Sequence, residues 1–333
     1  MDGAYAQAGR VRRDGFATVT SAHDVWHEGE RALHRSLGVE EKMQTRGQIV
    51  VRGYMPDQHR EFFEKLQFIV LSAVDEDGQV WPFIRVGGSG FIQSPHPTTL
   101  VISSQPMLGE PEGLDLDVGA KISVLGIELE TKRRNRMNGT ISRRDDQQLY
   151  INVDQSFGNC PRYIHVRKRV ATSPLLAGKR TQSRTFNAAD VDQIRQADML
   201  FIASRAPELT EDRRAGVDVN HRGGLPGFVR VLDDQTLIIP DYDGNKFFNT
   251  FGNIMRDTRC GLQFPDFQTG DLLTLNGHAE VIADDPTGVA SYGSNRYLKF
   301  KTDTVRRAAG VFPLCYQLQD VSDNPPEPPR IKS

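Results

Sequence analysis

The chain has 333 residues, 38% of them hydrophobic, which is enough for two buried cores, and two domains are the expectation at this length. Its formal net charge of −2 excludes a global attraction to nucleic acid or to an anionic membrane surface. The cysteines, Cys160, Cys260 and Cys315, are odd in number, far apart and form no CxxC pair, so they indicate neither a disulfide framework nor a zinc site. No apolar run nears the roughly 20 residues that span a bilayer, and the N-terminus has no apolar secretory stretch. A soluble protein of the reducing cytoplasm is expected.

In chain order, residues 1 to about 20 show no periodicity and read as a mobile leader. Val25 to about Met43 is helical in pattern. Within it, His27-Glu28-Gly29-Glu30 offers one histidine and two glutamates without a second histidine at i+4, so it reads as a helix start and no metal is assigned. A second helix from Pro56 to about Leu66 leads into the apolar run at 68–72, a buried strand. Asp75-Glu76-Asp77-Gly78 is a hairpin turn and Val80 to Val86 the returning strand, with further strands at 89–93, 99–103, 121–129 and 136–142. Short strands at this spacing suggest an antiparallel barrel or sandwich.

The second half repeats that order. Leu200 to Ser204 matches the strand at 68–72, Gly227-Phe228-Val229 matches Gly90-Phe91-Ile92, and Asn276-Gly277 matches Asn138-Gly139, the last two at offsets of 137 and 138 residues. Two barrels of one kind are expected, joined by a linker around 171–183. The division is 1–50 leader and helix, 51–170 first barrel, 184–285 second barrel, and 286–333 C-terminal helix and tail.

Two stretches carry chemistry. Pro240 to Ile254 reads as a short helix with Phe247, Phe251 and Ile254 on one face and Asn245, Asn249 and Asn253 beside Lys246 on the other. Asp241 or Asp243 could simply cap it while the asparagines face water. The glycine-rich entry Asn220-His221-Arg222-Gly223-Gly224 tips the reading toward an anion such as a phosphate, because glycine lets backbone approach a ligand and arginine binds phosphate bidentately. The matching first-half segment, Ser104 to Pro111, replaces cation and amides with two prolines and a glutamate, so one anionic ligand per chain is expected. The other stretch, Gln155 to Ile164, supplies amides, a hydroxyl and glycine-freed backbone suited to a heteroaromatic ring, although composition alone favours an ordinary Gly/Pro turn with Phe157 and Tyr163 packed down. Cys160 has no partner that would make it a catalytic thiol. In Lys132 to Arg136, alternation puts Arg134 and Arg136 on one face of a solvated or interface-facing strand.

The motifs at 27–30, 56–63, 125–139, 155–164 and 240–254, in that order, resemble the flavin-nucleotide-binding branch of the pyridoxamine 5′-phosphate oxidase-like split-barrel family, over roughly Trp26 to Ile282. The resemblance implies a mainly β protein of two tandem FMN-binding split barrels with flanking helices. It also implies FMN held at its phosphate by Arg222 and Lys246. Asn245 stands where the family has an arginine, a loss for which Arg230 could compensate. Backbone of Phe228, Val229 and Arg230 would line the ring, Asp241 and Tyr242 the ribityl chain or ring, and Gln155-Ser156, with Asn159 in the same loop, would reach the flavin from the other barrel. The pyridoxine-gripping Arg-x-His signature is not visible, so the substrate is open.

The implied activity is an FMN-dependent oxidoreductase exchanging hydride with a small organic substrate or NAD(P)H, with no catalytic residue named. The alternatives are a non-catalytic flavin-binding or redox-sensing protein, or a barrel holding deazaflavin or haem. Relatives bury an apolar face by dimerising, so a homodimer is expected. The segment 308–314 is similar to one that in some relatives leads into a ferredoxin-reductase-like module, which is not expected here.

Overall fold

A computed structural model describes residues 24–172, 178–283 and 294–321. Three helices come first: α1 (Glu28–Ser36), α2 (Glu40–Val50) and α3 (Asp57–Lys65). The expected single helix over 25–43 is thus two, broken where Gly38 takes φ +64°. The motif at its start is a capping box: His27 Nδ1 accepts from the Gly29 N–H at 3.1 Å and Glu30 accepts from the His27 N–H at 2.8 Å.

The first barrel comprises β1 (Phe68–Val74), β2 (Val80–Val86), β3 (Ile92–His96), β4 (Thr99–Ser103), β5 (Lys121–Glu128), β6 (Arg133–Arg144) and β7 (Gln148–Gly158). After β8 (Val166–Thr172) and β9 (Arg180–Ser183) comes α4 (Ala188–Gln196). The second barrel then comprises β10 (Met199–Arg205), β11 (Val217–Gly223), β12 (Arg230–Val231), β13 (Thr236–Tyr242), α5 (Asn249–Ile254), β14 (Arg259–Pro265), β15 (Leu272–Ile282) and β16 (Ser294–Ala308). The chain continues into β17 (Leu314–Asp320), which pairs with β8 as a separate ribbon.

The strand orders are β2-β1-β5-β6-β7-β4-β3 and β11-β10-β14-β15-β16-β13-β12, the same path through both sheets. The end strands of each path are not paired to each other, so each is a split barrel, and the architecture is two in tandem. Their landmarks coincide as well. Gly90 and Gly227 both adopt positive φ, +81° and +87°, which only glycine takes without strain. The ladder shifts register at Asn138/Gly139 and again at Asn276/Gly277. A Cβ on Gly139 would lie 2.2 Å from the Asn152 carbonyl oxygen, and one on Gly277 2.0 Å from that of Lys301.

Several boundaries differ from the sequence expectation: the strand at 136–142 runs Arg133–Arg144, and Gln155–Gly158 of the expected loop ends β7. The third strand runs 92–96 instead of 89–93 because Gly87 to Phe91 forms the turn. No helix lies in 294–321; β16 is an integral strand there, so the second barrel extends to Ala308. Part of the linker, 180–183, is β9, paired to β16. The expected leader lies outside the described residues, as does the linker at 173–177.

Alternation explains how the barrels join. Ile69 and Leu71 enter the first core with Phe83, Val124, Met137 and Ile151, while Leu200 and Ile202 enter the second with Leu262, Leu275 and Phe300. The opposite faces, Phe68, Val70 and Leu125 against Met199, Phe201 and Val219, form one shared cluster. β2 lies against β10 and β14, and reciprocally β11 lies against β1 and β5, the pattern of a two-fold interface within one chain. Burying six such side chains is worth on the order of 10 kcal/mol, comparable with a domain's whole net stability. Among the described residues no helix is long and apolar enough to cross a membrane.

Candidate functional site

The barrels meet at an open cleft. The first barrel contributes Arg134 of β6 and the loop after β7. The second contributes the end of β11, the end of β13 with the loop that follows, and Arg296 of β16.

Local geometry explains the placement of each side chain. The expected helix over 240–254 begins only at Asn249; Pro240 to Tyr242 finish β13, and 243–248 is a loop with Lys246 and Phe248 at φ +61° and +60°. Asn245 and Lys246 therefore lie on this loop, where Asn245 Oδ1 accepts from the Phe247 N–H at 3.1 Å and Lys246 is exposed beside the cleft. Phe247, Phe251 and Ile254 are all buried, as expected, but in two clusters: Phe247 with Trp26 and Phe157, the others in the second core. The polar stripe faces inward. Asn249 donates to Glu30, and Asn253 donates to Ser204 Oγ at 3.1 Å and Asp218 Oδ2 at 2.8 Å.

Arg222, near the end of β11, donates from Nη1 to Asp241 Oδ1 at 2.8 Å, and Arg296 donates from Nη2 to Asp241 Oδ2 at 3.0 Å. The two guanidiniums also cover Phe251 and Phe248, 5.0 and 4.8 Å from the ring centres. Across the cleft, Arg134 donates from Nε to the Cys160 carbonyl at 2.7 Å, while its Nη1 lies 3.1 Å from His221 Nδ1. A guanidinium only donates, so Nδ1 accepts and His221 carries its proton on Nε2. Burial and the neighbouring Arg134 hold the His221 pKa well below the usual histidine range, and burial brings Arg134 down to about 10. Arg162 and the Tyr163 hydroxyl both donate to the Asp243 carbonyl, at 3.2 and 2.9 Å, tying the first-barrel loop to the second-barrel loop. The Tyr163 and Tyr242 rings stand 5.3 Å apart, and burial raises Tyr242 to about 12.

Five cations and two carboxylates line the cleft, an excess of three positive charges with His221 neutral. Three buried nitrogens of lining residues lack a partner: Arg222 Nε, His221 Nε2 and Asn159 Nδ2. All are donors, so the buried wall of the cleft holds more donors than acceptors.

No protein-family model matches the chain, and no curated protein matches it. Solved structures do. One is a nominal pyridoxamine 5′-phosphate oxidase from Lactobacillus delbrueckii, with 17% identity, 38% of this chain and 98% of that chain covered, and a TM-score of 0.29. An FMN-binding protein from Syntrophomonas wolfei shows 10% identity, coverages of 35% and 84%, and a TM-score of 0.26. The FAD binding protein from Mycobacterium smegmatis shows 11% identity, coverages of 39% and 98%, and a TM-score of 0.24. The fold assignment rests on the strand order and register above.

Of the site residues expected from sequence, Arg222, Phe228, Asp241, Tyr242, Asn245, Lys246, Asn249 and Asn159 line the cleft. Four do not. Val229 is in the second core, and Arg230 on β12 stacks toward Tyr297, 5.9 Å from its ring centre. Gln155 Nε2 donates to the Val25 carbonyl at 3.0 Å, and Ser156 Oγ lies 3.0 Å from His59 Nδ1. Two different contacts hold them elsewhere, Gln155 on the N-terminal segment and Ser156 on α3. Arg134, Arg162, Tyr163, His221 and Arg296 were not expected to contribute. Arg134 was within reach, as part of the basic run, but its partner His221 is distant in sequence and no local pattern links them.

Proposed function

We propose that this cleft binds a flavin nucleotide, FMN in the first instance, and that the protein is an oxidoreductase working through it. The observation that carries the reading is the pairing of three unpartnered donors with an excess of three positive charges, beside two tyrosines, in one open cleft between the barrels. The donor set fits the group. Arg222, Arg296 and Lys246 suit a phosphate, Asn159 and His221 suit carbonyl and ring-nitrogen acceptors, and Tyr163, Tyr242 and Phe228 suit a flat ring. A bound flavin supplies hydride or electron transfer.

The chain's own residues bind and orient. Asp241 holds Arg222 and Arg296 in place, and Tyr163 and Arg162 fix the loop over the cleft. His221, neutral and held by Arg134, presents an N–H without adding charge. A small organic substrate or NAD(P)H as donor, a cytoplasmic location and a homodimer belong to the same proposal. The apolar face that argued for a dimer is covered within the chain, so a second copy would use another surface.

Purified protein titrated with FMN, FAD and riboflavin tests the reading by absorbance and fluorescence. FMN should bind with riboflavin weaker, because the phosphate meets the cations. Failure to take up any of the three sinks the proposal. Repeated oxidation of NADH or NADPH supports the enzyme, whereas bleaching without turnover identifies a binder or redox sensor. Preference for a deazaflavin or haem over FMN replaces the ligand.

A further inference from the structure

The two barrels place an arginine at the same point. Along the β1–β2 ladder Arg85 stands opposite Ile69, and along the β10–β11 ladder Arg222 stands opposite Leu200; each is the last residue but one of its strand and faces the second residue of its neighbour. The next strands extend the match. Ile102 pairs with Leu149 as Ile239 pairs with Leu298, so Ser104 occupies the place of Asp241 and Gln147 that of Arg296.

What differs is the partner. Arg85 donates from Nε to Glu110 Oε2 at 3.1 Å and from Nη2 to Glu110 Oε1 at 2.7 Å, with both side chains almost fully buried, 5% and 6% exposed. That two-pronged edge of a guanidinium is the one that grips an oxyanion. On Arg222 the carboxylate of Asp241 takes Nη1, and Nε is left without a partner. Glu110 is carried on the segment between β4 and β5, the counterpart of the cleft loop. It is set there by Gly109 at φ +99°, whose Cβ would meet Ala308 Cβ at 2.5 Å. Open space lies against Arg85, Ser104, Gln147 and Gln148, with Arg144 and the carboxylates of Asp117, Asp145 and Asp146 also on its wall, and the buried Ser104 Oγ has no partner.

We propose that Arg85 marks a second, latent oxyanion site, for a phosphate or carboxylate ligand, which the chain closes with its own Glu110 carboxylate. This is why one anion per chain is expected although the binding arginine is present twice. With Gln147 and Ser104 replacing Arg296 and Asp241, the opened site would bind more weakly than the cleft. The proposal makes no use of flavin, and a protein that binds no flavin leaves it standing.

The test uses the full chain with Glu110→Ala, Glu110→Gln and the double variant Arg85→Ala/Glu110→Ala, melted with and without inorganic phosphate. Removing the carboxylate leaves Arg85 charged and unpaired, so both single variants should melt below the parent in chloride buffer. Phosphate should then raise the melting temperature of Glu110→Ala more than that of the parent, saturably, with a smaller gain for Glu110→Gln and no gain beyond the parent's for the double variant. The parent serves as control for anion binding at Arg222. Equal phosphate responses in parent and single variants overturn the proposal, as does an equal gain in the double variant. If Glu110→Ala folds only when phosphate is present during refolding, the proposal is supported. If it folds in neither buffer and Glu110→Gln ignores phosphate, the proposal fails.

Discussion

The Nε2 of His34 lies 2.8 Å from the carbonyl oxygen of Lys246, joining the N-terminal helix α1 to the cleft loop across 212 positions of sequence. The carbonyl accepts, so Nε2 carries the proton and Nδ1 is bare. Nδ1 is also buried without a partner, and burial lowers the His34 pKa, so the neutral ring is the one the site favours. Lys246 takes φ +61°, a conformation a non-glycine residue holds only when its surroundings impose it. Trp26 packs on the adjacent Phe247 at 5.1 Å, so α1 and its cap clamp the loop although neither lines the cleft.

His34→Ala is therefore expected to weaken FMN binding by about 1 kcal/mol, roughly fivefold, the net worth of one hydrogen bond. His34→Gln, which can still donate, should recover part of it. Fluorescence titration checks both; unchanged affinity in His34→Ala would show that the loop holds its shape unaided.

Asp241 holds Arg222 and Arg296 in the ligand-free cleft, and on the proposed reading a phosphate would have to displace it from them. Arg222→Ala and Arg296→Ala should each cost about 1.5–3 kcal/mol of FMN affinity, the range for charge-assisted hydrogen bonds. Asp241→Asn should do the opposite, tightening FMN several-fold while lowering the ligand-free melting temperature, because two cations then lose their shared anion. Calorimetric titration of the three variants separates the roles, and weaker FMN binding by Asp241→Asn would make Asp241 a ligand-orienting group instead.

The duplication was legible because its landmarks are residues with few substitutes: glycines at positive φ and an Asn-Gly bulge. The apolar run at 68–72 was legible as buried because both faces of β1 are covered, one by its own core and one by the partner barrel. Pro240 to Phe248 was misread as helix because Lys246 and Phe248 adopt left-handed conformations that their residue types do not signal, on a loop that α1 holds through His34. Gln155 and Ser156 were misplaced for a related reason: the segments covering them, around Val25 and His59, are distant in sequence. Arg296 gave no local sign, since only the strand pairing of β13 with β16 brings it to Asp241.

Glu30 should make stability fall on the alkaline side. It is 3% exposed, and burial together with the charge of Asp218 pushes its carboxyl up to about 8 from the ordinary 4.5. The folded chain then keeps a proton that the unfolded chain releases, so this contribution is complete below pH 4.5 and is lost as pH rises through 8. The slope is at most about 1.4 kcal/mol per pH unit. His27 and His59, held down to about 4 by burial, act in the other direction, their contribution being lost as pH falls from 6.5 toward 4. Stability should peak near pH 6.5, and Glu30→Gln should flatten the decline between there and pH 8 and steepen the rise between pH 4.5 and 6.5, where Glu30 opposes the histidines. Denaturant melts across that range check it, and an unchanged alkaline slope in Glu30→Gln sinks the assignment.

Asp218 is the point where both barrels and α5 are tied together. Its Oδ1 accepts from Asn138 of the first barrel at 2.6 Å and stands 3.3 Å from Arg136 Nη2, while Oδ2 accepts from Asn253 of α5 at 2.8 Å. Arg136 is fully buried, stacks 4.4 Å over Phe157 and donates to Asn220 Oδ1 at 2.9 Å. Removing Asp218 leaves this guanidinium charged in the interior with a neutral amide as its remaining partner. Asp218→Ala is expected to cost about 3–5 kcal/mol, the usual penalty for breaking a buried pair from one side. The double variant Arg136→Met/Asp218→Ala should recover much of it, since no uncompensated charge remains. If the double variant is no more stable than the single, the network holds the barrels through Asn138 and Asn253 and not through the ion pair.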